Sequence, residues 1–284
     1  MIHLALLLLL LATPTAAAEL KLATWNLEWL TLRRAGDPAL PPDVRPKAEY
    51  DLDALRRYAV RLDADVVAFQ EVDGAEAAAR VFTPDRYDLV LTNDGVVQRV
   101  GFAVRRGIAF ERNPDLTGLD VHPEDAYRLR SGADITLVLP GGRLRLLAVH
   151  LKSGCNSDPL TSSPKRTCAT LRQQVPALQG WIRQRRAEGA PFVLMGDFNR
   201  RMEGRDQLLA SMSEAAPLLR ATEGKASPCW GGNTFIDHIL AGGAARGWMQ
   251  PDTLRVMVYR ETDEAARARL SDHCPVSVRF RLPD

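Results

Sequence analysis

The sequence has 284 residues, and 46% of them are hydrophobic, so it can form a sizeable folded core. Its 37 Lys and Arg residues nearly balance its 35 Asp and Glu residues, and the formal net charge is only +2. This balance excludes a strong overall attraction to polyanions as the basis of function, but it does not exclude a local basic groove.

The first 18 residues have the features of a secretory signal peptide. An apolar run over residues 4–12 is followed by three small residues at 16–18. The run is too short to span a bilayer. We therefore expect cleavage after Ala18, no transmembrane segment in the mature chain, and a secreted or periplasmic protein that begins near Glu19.

Short strands and helices alternate along the rest of the chain. Apolar residues at helical spacing predict two long helices, 47–62 and 164–187. We find no repeat and no linker between two cores, so residues 19–284 are expected to form a single α/β domain. Long loops in a compact domain usually surround a site, and they are expected at 35–46, 112–132 and 153–164. Strands are predicted at 20–25, 65–70, 87–92, 100–104, 135–139, 144–151, 192–196, 234–240, 254–259 and 275–281.

Four cysteines in an oxidising compartment indicate disulfide bonds, and four cysteines allow three pairings. We favour Cys155–Cys168, because this bond would tie a polar loop to the helix that follows it. Such a bond adds about 2–4 kcal/mol of stability. The pair Cys229–Cys274 then follows by elimination.

Polar residues that can bind metal ions or transfer protons end four of the predicted strands. They are Asn26 in "TWNLEWL", Glu71 in "FQEV", His150 in "AVHLKSG", and Asp197 with Asn199 in "GDFN". Each of them taken alone is more often a cap, a turn former or a satisfied core residue. Parallel neighbours in an α/β sheet gather such ends at one edge, where ligands bind. The coincidence of four ends therefore indicates a site.

Two further segments complete this set. Asp237 lies within the apolar strand "TFIDHIL", where a carboxylate needs a partner to offset its burial, and His238 and His273 are available. Asp272 and His273 directly precede the last strand. The start of that strand can meet the ends of the others only if it runs antiparallel to them, so the sequence predicts a mixed sheet.

These segments resemble, in order and rough spacing, the endonuclease/exonuclease/phosphatase superfamily, whose type member is deoxyribonuclease I. The resemblance covers essentially the whole mature chain and rests on "TWNLEWL", "FQEV", "HLKS", "GDFN", "IDHIL" and "SDHCPV". The variants "HLKSGC" and "GDFNRR" are similar to those of small secreted bacterial members. The resemblance implies a four-layer α/β sandwich, in which two packed mixed β-sheets are flanked by helices.

The resemblance also implies a divalent-metal-dependent phosphodiester hydrolase. Glu71 would be the principal metal ligand, with Asn26 and Asp272 near or in the same shell, and Glu28 could join them. Oxygen ligands of this kind suit Mg²⁺ or Mn²⁺. Ca²⁺ would be an auxiliary ion.

The same resemblance assigns catalytic roles to the remaining residues. Asp197 would orient or deprotonate the attacking water, and Asn199 would donate a hydrogen bond to the developing oxyanion. His273 and Asp237 resemble the family's histidine–aspartate pair, which acts as a general base or binds phosphate.

His150 matches a second histidine that occurs in the nuclease and sphingomyelinase branches of the superfamily. In deoxyribonuclease I that histidine contacts a glutamate. This sequence has no clear equivalent of that glutamate, and Asp94 is the nearest candidate. His238 stands where many relatives have tyrosine.

The substrate is harder to infer, because this superfamily cleaves DNA, RNA, sphingomyelin and inositol phosphates with one core. The secreted context and the basic residues near the motifs favour nucleic acid. A sphingomyelinase-like or small-ester phosphodiesterase and a non-catalytic binding protein are the alternatives. No obligate protein partner is evident, and we expect a monomer. The candidate substrate-binding residues are Arg99, Lys152 and Arg200, and further arginines near the site are Arg33, Arg34 and Arg201.

Overall fold

The computed structural model describes residues 18–125, 128–262 and 264–283. Its strands are β1 (Glu19–Leu30), β2 (Val66–Val72), β3 (Tyr87–Leu91), β4 (Arg99–Arg105), β5 (Ala109–Arg112), β6 (Ala133–Leu139), β7 (Gly142–His150), β8 (Phe192–Asp197), β9 (Leu218–Arg220), β10 (Asp237–Gly242), β11 (Met249–Val256) and β12 (Val276–Arg281). Its α-helices are α1 (Glu49–Leu62), α2 (Ala75–Val81), α3 (Arg166–Ala187), α4 (Gln207–Ala215), α5 (Ala245–Trp248) and α6 (Glu264–Arg269). Two 3₁₀ turns span Thr117–Leu119 and Cys229–Gly231.

The strands form two six-stranded sheets with the same central arrangement. The first sheet has the order β11-β12-β1-β2-β4-β3, and the second has the order β5-β6-β7-β8-β10-β9. In each, one parallel pair (β1–β2 or β7–β8) lies between antiparallel neighbours. The prediction of mixed sheets is therefore confirmed.

Side-chain alternation along the central strands explains the four layers. On β2, Val66 and Ala68 enter the core between the two sheets, whereas Val67 and Phe69 pack with α1 and α2. On β8, Val193 and Met195 face the inter-sheet core, and Leu194 packs against α3 and α4. A strand buried on both faces is mostly apolar along its length, and β8 carries its first polar side chain, Asp197, at its end.

The predicted elements agree with the structure except at the edges. Each of the ten predicted strands overlaps an observed strand, and the two long helices begin two residues later than predicted. Strands β5 and β9 were not predicted from the sequence. Strand β5 is an exposed edge strand without apolar alternation, and β9 has only three residues. The four shorter helices were not predicted either, and the longest of them has nine residues.

Both predicted disulfide bonds are present. Cys155–Cys168 ties the loop after β7 to the first turn of α3, with a Cα–Cα distance of 5.0 Å. Cys229–Cys274 ties a 3₁₀ turn to the segment before β12, at 5.7 Å. No helix in the described part of the chain is long and apolar enough to cross a membrane. Except for Ala18, the predicted signal peptide lies outside the described residues.

The parallel pair β7–β8 depends on a glycine. Gly196 has φ +147°, and a Cβ atom there would lie 2.0 Å from the Val149 carbonyl oxygen. We expect Gly196→Ala to lower the free energy of unfolding by about 3 kcal/mol or more. The matched control is Gly180→Ala on α3, where a Cβ atom meets nothing within 4 Å; it should be neutral or raise that free energy by about 0.5–1 kcal/mol. Urea unfolding of the two variants measures the difference, and equal midpoints would contradict this packing.

Candidate active site

The strand ends of both sheets meet in one place. In the second sheet, Asp197 lies opposite His150 on β7 and opposite Asp237 on β10. In the first sheet, Asn26 on β1 pairs with Gln70, the residue before Glu71 on β2, at the point where the regular register of the two strands stops. A buried hydrogen bond from Asn26 Nδ2 to Asp197 Oδ2, 3.1 Å long, joins the two sheets at this point. The predicted residues of distant segments thus form one cluster.

The backbone around this cluster is unusual. Glu28, Trp29, Glu71 and Asn199 all have positive φ angles, between 42° and 61°. Non-glycine residues adopt this left-handed conformation at a cost of order 1–3 kcal/mol each, and such residues concentrate at functional sites. Four of them in one cluster therefore support its functional role.

The carboxylate of Glu71 is fixed by three donors. Oε1 accepts a hydrogen bond from Asn26 Nδ2 at 2.9 Å. Oε2 accepts from the Trp29 backbone N–H at 3.2 Å and from Gln98 Nε2 at 2.6 Å. The sequence analysis did not identify Gln98, which lies just before β4.

Carboxylates crowd together on this side of the cluster. Glu28 accepts a hydrogen bond from the Asp272 backbone N–H at 2.8 Å. Burial, together with the charges of Asp272 and Glu71, raises the pKa of Glu28 to about 7, although Lys47 opposes this shift. An all-oxygen donor set with excess negative charge fits a hard divalent cation such as Mg²⁺ or Mn²⁺. Asn26 Oδ1 already accepts from the Glu28 N–H, but an amide oxygen can accept a second interaction.

Asp197 is the most enclosed carboxylate of the site, with 1% of the residue exposed. Oδ1 accepts from the Asn199 backbone N–H at 2.7 Å. Oδ2 lies 3.1 Å from Asn199 Nδ2, 3.5 Å from His150 Nε2 and 3.7 Å from His273 Nε2. Burial raises the pKa of Asp197, and the charge of His273 opposes the rise. A carboxyl group with a raised pKa is better suited to accept a proton than an ordinary one.

His273 and Asp237 form the predicted pair. His273 Nδ1 lies 2.8 Å from Asp237 Oδ2. Burial lowers the pKa of His273, but the negative charges of Asp237 and Asp197 outweigh burial and hold it well above its usual range. The imidazole is therefore held in its charged form, with Nε2 directed towards Asp197 and Asp272, 3.7 Å from an oxygen of each. Asp197, Asp237 and His273 also lie close enough together to bind a cation, but the direct hydrogen bond already occupies Nδ1.

The structure adds Arg130, which the sequence analysis missed. Its NH2 group lies 3.2 Å from His150 Nε2. Because a guanidinium only donates hydrogen bonds, Nε2 must accept here and the proton must reside on Nδ1. Burial and the charge of Arg130 lower the pKa of His150 well below its usual range, so the imidazole is neutral. His150 Nδ1 has no hydrogen-bond partner among the described residues.

Arg130 was hidden in the loop predicted at 112–132. No motif marks it, and its position follows from the strand pairing, in which β6 and β7 run antiparallel with Ala133 opposite Ala148. Continuing that register towards the site brings the residues just before β6 alongside His150. The structure also corrects the expectation for Asp94, which accepts hydrogen bonds from the N–H and Oγ of Ser131 at 2.9 and 2.7 Å. Asp94 thus positions the neighbour of Arg130 and does not support His150.

Among the predicted substrate-binding residues, Arg200 requires a correction. It is buried, its Nε donates to Asp206 Oδ2 at 2.6 Å, and its NH1 donates to the carbonyl oxygens of Cys155 and Asp158. These bonds hold the loop after β7, so Arg200 is a structural residue. Buried positions that follow a strand end cannot be distinguished by sequence from positions that face solvent.

Of the two other predicted substrate-binding residues, Arg99 directly follows Gln98, and Lys152 lies near the charge of Arg130. Arg99 donates to the Asp73 carbonyl oxygen at 3.4 Å. Lys152 is half-buried, and burial together with the nearby charge of Arg130 lowers its pKa. A substrate-binding role for Arg99 and Lys152 stays a prediction.

His238, the other histidine of "IDHIL", is a core residue. It is fully buried; its Nε2 lies 2.9 Å from the Arg200 carbonyl oxygen, and its Nδ1 lies 2.7 Å from Thr222 Oγ1. Since a carbonyl only accepts, Nε2 carries the proton and Nδ1 accepts from the threonine. His238 therefore links β10 to the loop of Arg200 and takes no part in the cluster.

Comparison with known proteins identifies the family. The model of the "Endonuclease/Exonuclease/phosphatase family" matches residues 23–273. The chain belongs to this family. Family membership and the four-layer fold, both predicted from the motifs, are confirmed, and with them the assignment to the phosphodiester hydrolases. No curated protein matches the sequence.

Several solved structures share the fold. Truncated TDP2 from Caenorhabditis elegans gives a TM-score of 0.62 at 17% identity, and the match covers 93% of this chain and 98% of that chain. The 3′ phosphatase NExo from Neisseria, bound to a product DNA hairpin, gives 0.60 at 19% identity, with 92% and 99% covered. D. rerio TDP2, complexed with a single-strand DNA product, gives 0.60 at 16% identity, with 93% and 99% covered. At these identities the likeness shows the fold alone.

The charge of His273 can be tested without a substrate. In Asp237→Asn the imidazole loses its nearest anion but keeps its burial, so we expect the pKa of His273 to fall. Titration of the histidine ring signals by NMR, with chelator present, measures this shift. The neutral His238 provides an internal reference in the same spectra. An identical His273 titration in wild type and variant would mean that Asp237 does not stabilise the imidazolium.

The buried His238 predicts a pH dependence of stability. Burial, the largest cause, lowers its pKa from 6.5 to about 3. In the unfolded chain His238 takes up a proton as the pH falls below its ordinary pKa of 6.5, whereas in the folded chain it stays neutral. The stability that depends on neutral His238 is therefore complete above pH 6.5. It is lost as the pH falls towards 3, by on the order of 4 kcal/mol.

Urea unfolding between pH 7 and pH 4 measures this dependence. We expect His238→Gln to reduce the slope of the curve, because the variant has no imidazole at this position to titrate; the contribution of the buried His150 remains. His122→Gln is the control, since the side chain of His122 forms no hydrogen bond with a described residue; it should keep the wild-type curve. Parallel curves for all three proteins would exclude this role of His238.

Proposed function

We propose that the protein is a secreted, divalent-metal-dependent phosphodiesterase, a deoxyribonuclease-like endonuclease that hydrolyses nucleic-acid phosphodiester bonds. Water would attack the phosphorus in line with the leaving oxygen. The proposal rests on the environment of Asp197. Its buried carboxylate is within 4 Å of a histidine held in the charged form and of two amide groups.

The cation would be held on the carboxylate side of the site. Glu71 and Asp272 are the candidate ligands, with Asn26 and Glu28 beside them, and Mg²⁺ or Mn²⁺ fits their oxygens; Ca²⁺ would be an auxiliary ion. When bound, such an ion neutralises charge on the phosphoryl oxygens. The three donors on Glu71 orient its carboxylate for this purpose.

The protonation states favour one division of roles. Asp197, with its raised pKa, would take the proton of the attacking water. Asn199 orients that carboxylate through its backbone N–H and its side-chain amide. His273, kept as imidazolium by Asp237, would donate a hydrogen bond to a phosphoryl oxygen. The sequence had left open whether His273 or Asp197 is the base, and these charges favour Asp197.

Arg130 would supply a second positive charge to the phosphoryl group. Its guanidinium is enclosed near the carboxylates of Glu71 and Asp197, which oppose the lowering of its pKa by burial. In a buried setting such a donor stabilises negative charge more strongly than in water. The neutral His150 accepts a hydrogen bond from Arg130 and thereby orients the guanidinium. Because His150 is neutral, this role is favoured over that of a general acid.

Nucleic acid is favoured as the substrate by three observations. The large hydrophobic side chains that are exposed on the described surface do not form a patch, and the two that share an element, Tyr50 and Val60, lie near opposite ends of α1; this does not suit docking on a lipid surface. Arg99, Arg130 and Lys152 provide cations around the site. The similar structures of NExo and TDP2 hold DNA products, which is a property of those proteins that supports the same class here. The lipid or small-ester alternative would share the metal site and is an outcome of the test below.

The chain is expected to work outside the cytoplasm. Residues 1–18 have the pattern of a signal peptide, and the two disulfide bonds suit an oxidising compartment. Residues 19–284 would then form a single domain that acts as a monomer.

The proposal is tested by nicking of supercoiled plasmid DNA. We expect activity with Mg²⁺ or Mn²⁺ that EDTA abolishes, and a loss of about 10²–10⁴-fold in Asp197→Asn and in His273→Ala, because each removes a group that handles protons or charge. The matched control is Asp252→Asn, an exposed aspartate on β11, which should keep wild-type activity.

Two outcomes would contradict the proposal. Wild-type protein that is inert on DNA and RNA with Mg²⁺, Mn²⁺ and Ca²⁺ would remove the nuclease function. Activity on bis-p-nitrophenyl phosphate or sphingomyelin alone would establish the alternative phosphodiesterase.

A further inference from the structure

A cavity of about 260 Å³ opens directly beside the histidine–aspartate pair. Asp237, Asp272 and His273 line its inner end. Its other walls include Asn156 from the loop after β7 and Arg201 from the loop after β8. We refer to it as the Arg201 cavity. No role has so far been assigned to the residues of these outer walls.

The Arg201 cavity gathers buried polar atoms that lack partners. Of ten such side-chain atoms in the described part of the chain, four belong to residues that line it. They are Asn156 Oδ1, Arg201 Nε, Thr234 Oγ1 and Asp237 Oδ1. Buried polar groups are normally hydrogen-bonded, since an unpaired one costs about 1–3 kcal/mol. Their concentration in one cavity indicates a polar ligand that pairs with them.

The charge of the outer walls narrows the class of ligand. Arg201 and Arg267 both line the cavity, and neither forms an ion pair with a described residue. Two guanidinium groups that form no ion pair within the described part of the chain suit a phosphate, to which arginine can donate two parallel hydrogen bonds. The same charges repel the quaternary ammonium of a choline headgroup.

The walls are also rigid. The Arg201 N–H donates to the Asn156 carbonyl oxygen at 2.8 Å, so the two outer residues move together. Trp230 stacks on Tyr259 with ring centroids 5.2 Å apart, and its Nε1 donates to the Ser271 carbonyl oxygen at 2.9 Å. The Cys229–Cys274 disulfide holds this turn next to His273. A preformed cavity loses little entropy on binding.

We propose that the Arg201 cavity binds the nucleotide unit adjoining the scissile phosphate. The next phosphate would lie against Arg201 and Arg267, and the sugar or base would pair with Asn156 and Thr234 beside the ring of Trp230. The inference rests on the proposed nuclease function and adds to it that the enzyme selects polynucleotides over simple phosphodiesters by binding a second phosphate.

The test compares two substrates, a short thymidine oligonucleotide and bis-p-nitrophenyl phosphate, which has no second phosphate. We expect Arg201→Gln to lower the ratio of their kcat/KM values about tenfold or more, mainly through KM for the oligonucleotide. Thr234→Val, which keeps the side-chain shape, should lower the ratio about three- to tenfold. The matched control is Arg205→Gln, an exposed arginine outside this cavity, which should leave the ratio unchanged. Thermal unfolding verifies that the variants are folded.

A second measurement identifies the ligand. Thymidine 5′-phosphate, phosphocholine and inorganic phosphate are each tested as inhibitors of bis-p-nitrophenyl phosphate hydrolysis. We expect the nucleotide to inhibit best and to lose about tenfold or more of its potency in Arg201→Gln. Inhibition by phosphocholine as strong as by the nucleotide would overturn the proposal in favour of a lipid headgroup, and inhibition by inorganic phosphate alone would overturn it in favour of the metal centre as the only phosphate site.

The outcomes separate this inference from the function on which it rests. If the wild type cleaves both substrates and neither variant changes the ratio of their kcat/KM values, the Arg201 cavity is not a substrate site, and the nuclease function stands. If the wild type cleaves neither substrate, the proposed function itself is wrong. If it cleaves only bis-p-nitrophenyl phosphate, the nucleotide site is excluded together with the nuclease, and a small-ester phosphodiesterase remains.

Discussion

The site depends on the burial of one carboxylate between two sheets. Asp197 ends a strand that is buried on both faces, and it is reached from the opposite sheet by Asn26 across 3.1 Å. A buried carboxylate is costly unless other groups donate to it. The groups that donate to it or lie beside it are the other candidate catalytic residues, Asn199, His150 and His273. The requirement to satisfy Asp197 therefore also positions the residues that would carry out the chemistry.

The two sides of Asp197 differ in charge, and this difference organises the site. On one side Glu71 and Glu28 concentrate negative charge, which suits a divalent cation, and Asp272 lies between Glu28 and His273. On the other side Asp237 holds His273 as a cation. A phosphate group placed between a metal ion and an imidazolium would have its charge neutralised from both directions. The left-handed backbone at Glu28, Glu71 and Asn199 stores strain that the surrounding core offsets.

Arg130 and Arg200 show how far sequence reasoning could identify the basic residues. Arg200 follows the "GDFN" motif directly, and its position suggested contact with substrate, yet its guanidinium is enclosed by Asp206 and two backbone carbonyls. Arg130 lies in a segment without a motif, yet it contacts His150. The direction of a long side chain depends on the partners that packing brings near it, and local sequence carries little information about those partners.

The sequence by itself determined the order of ten strands and the two long helices, the residues at the strand ends and the family. These features depend on local patterns: alternating burial, a polar residue where a buried strand stops, and motif spacing. Tertiary structure alone decided that Asp94 supports Ser131, that Arg130 lies beside His150, and that Asn156 meets Arg201 at a cavity. These contacts join segments that are tens of residues apart, and the bond between Asn26 and Asp197 spans 171 positions. Such contacts exist only once the strands pair within each sheet and the two sheets pack face to face, because both steps fix which loops are neighbours.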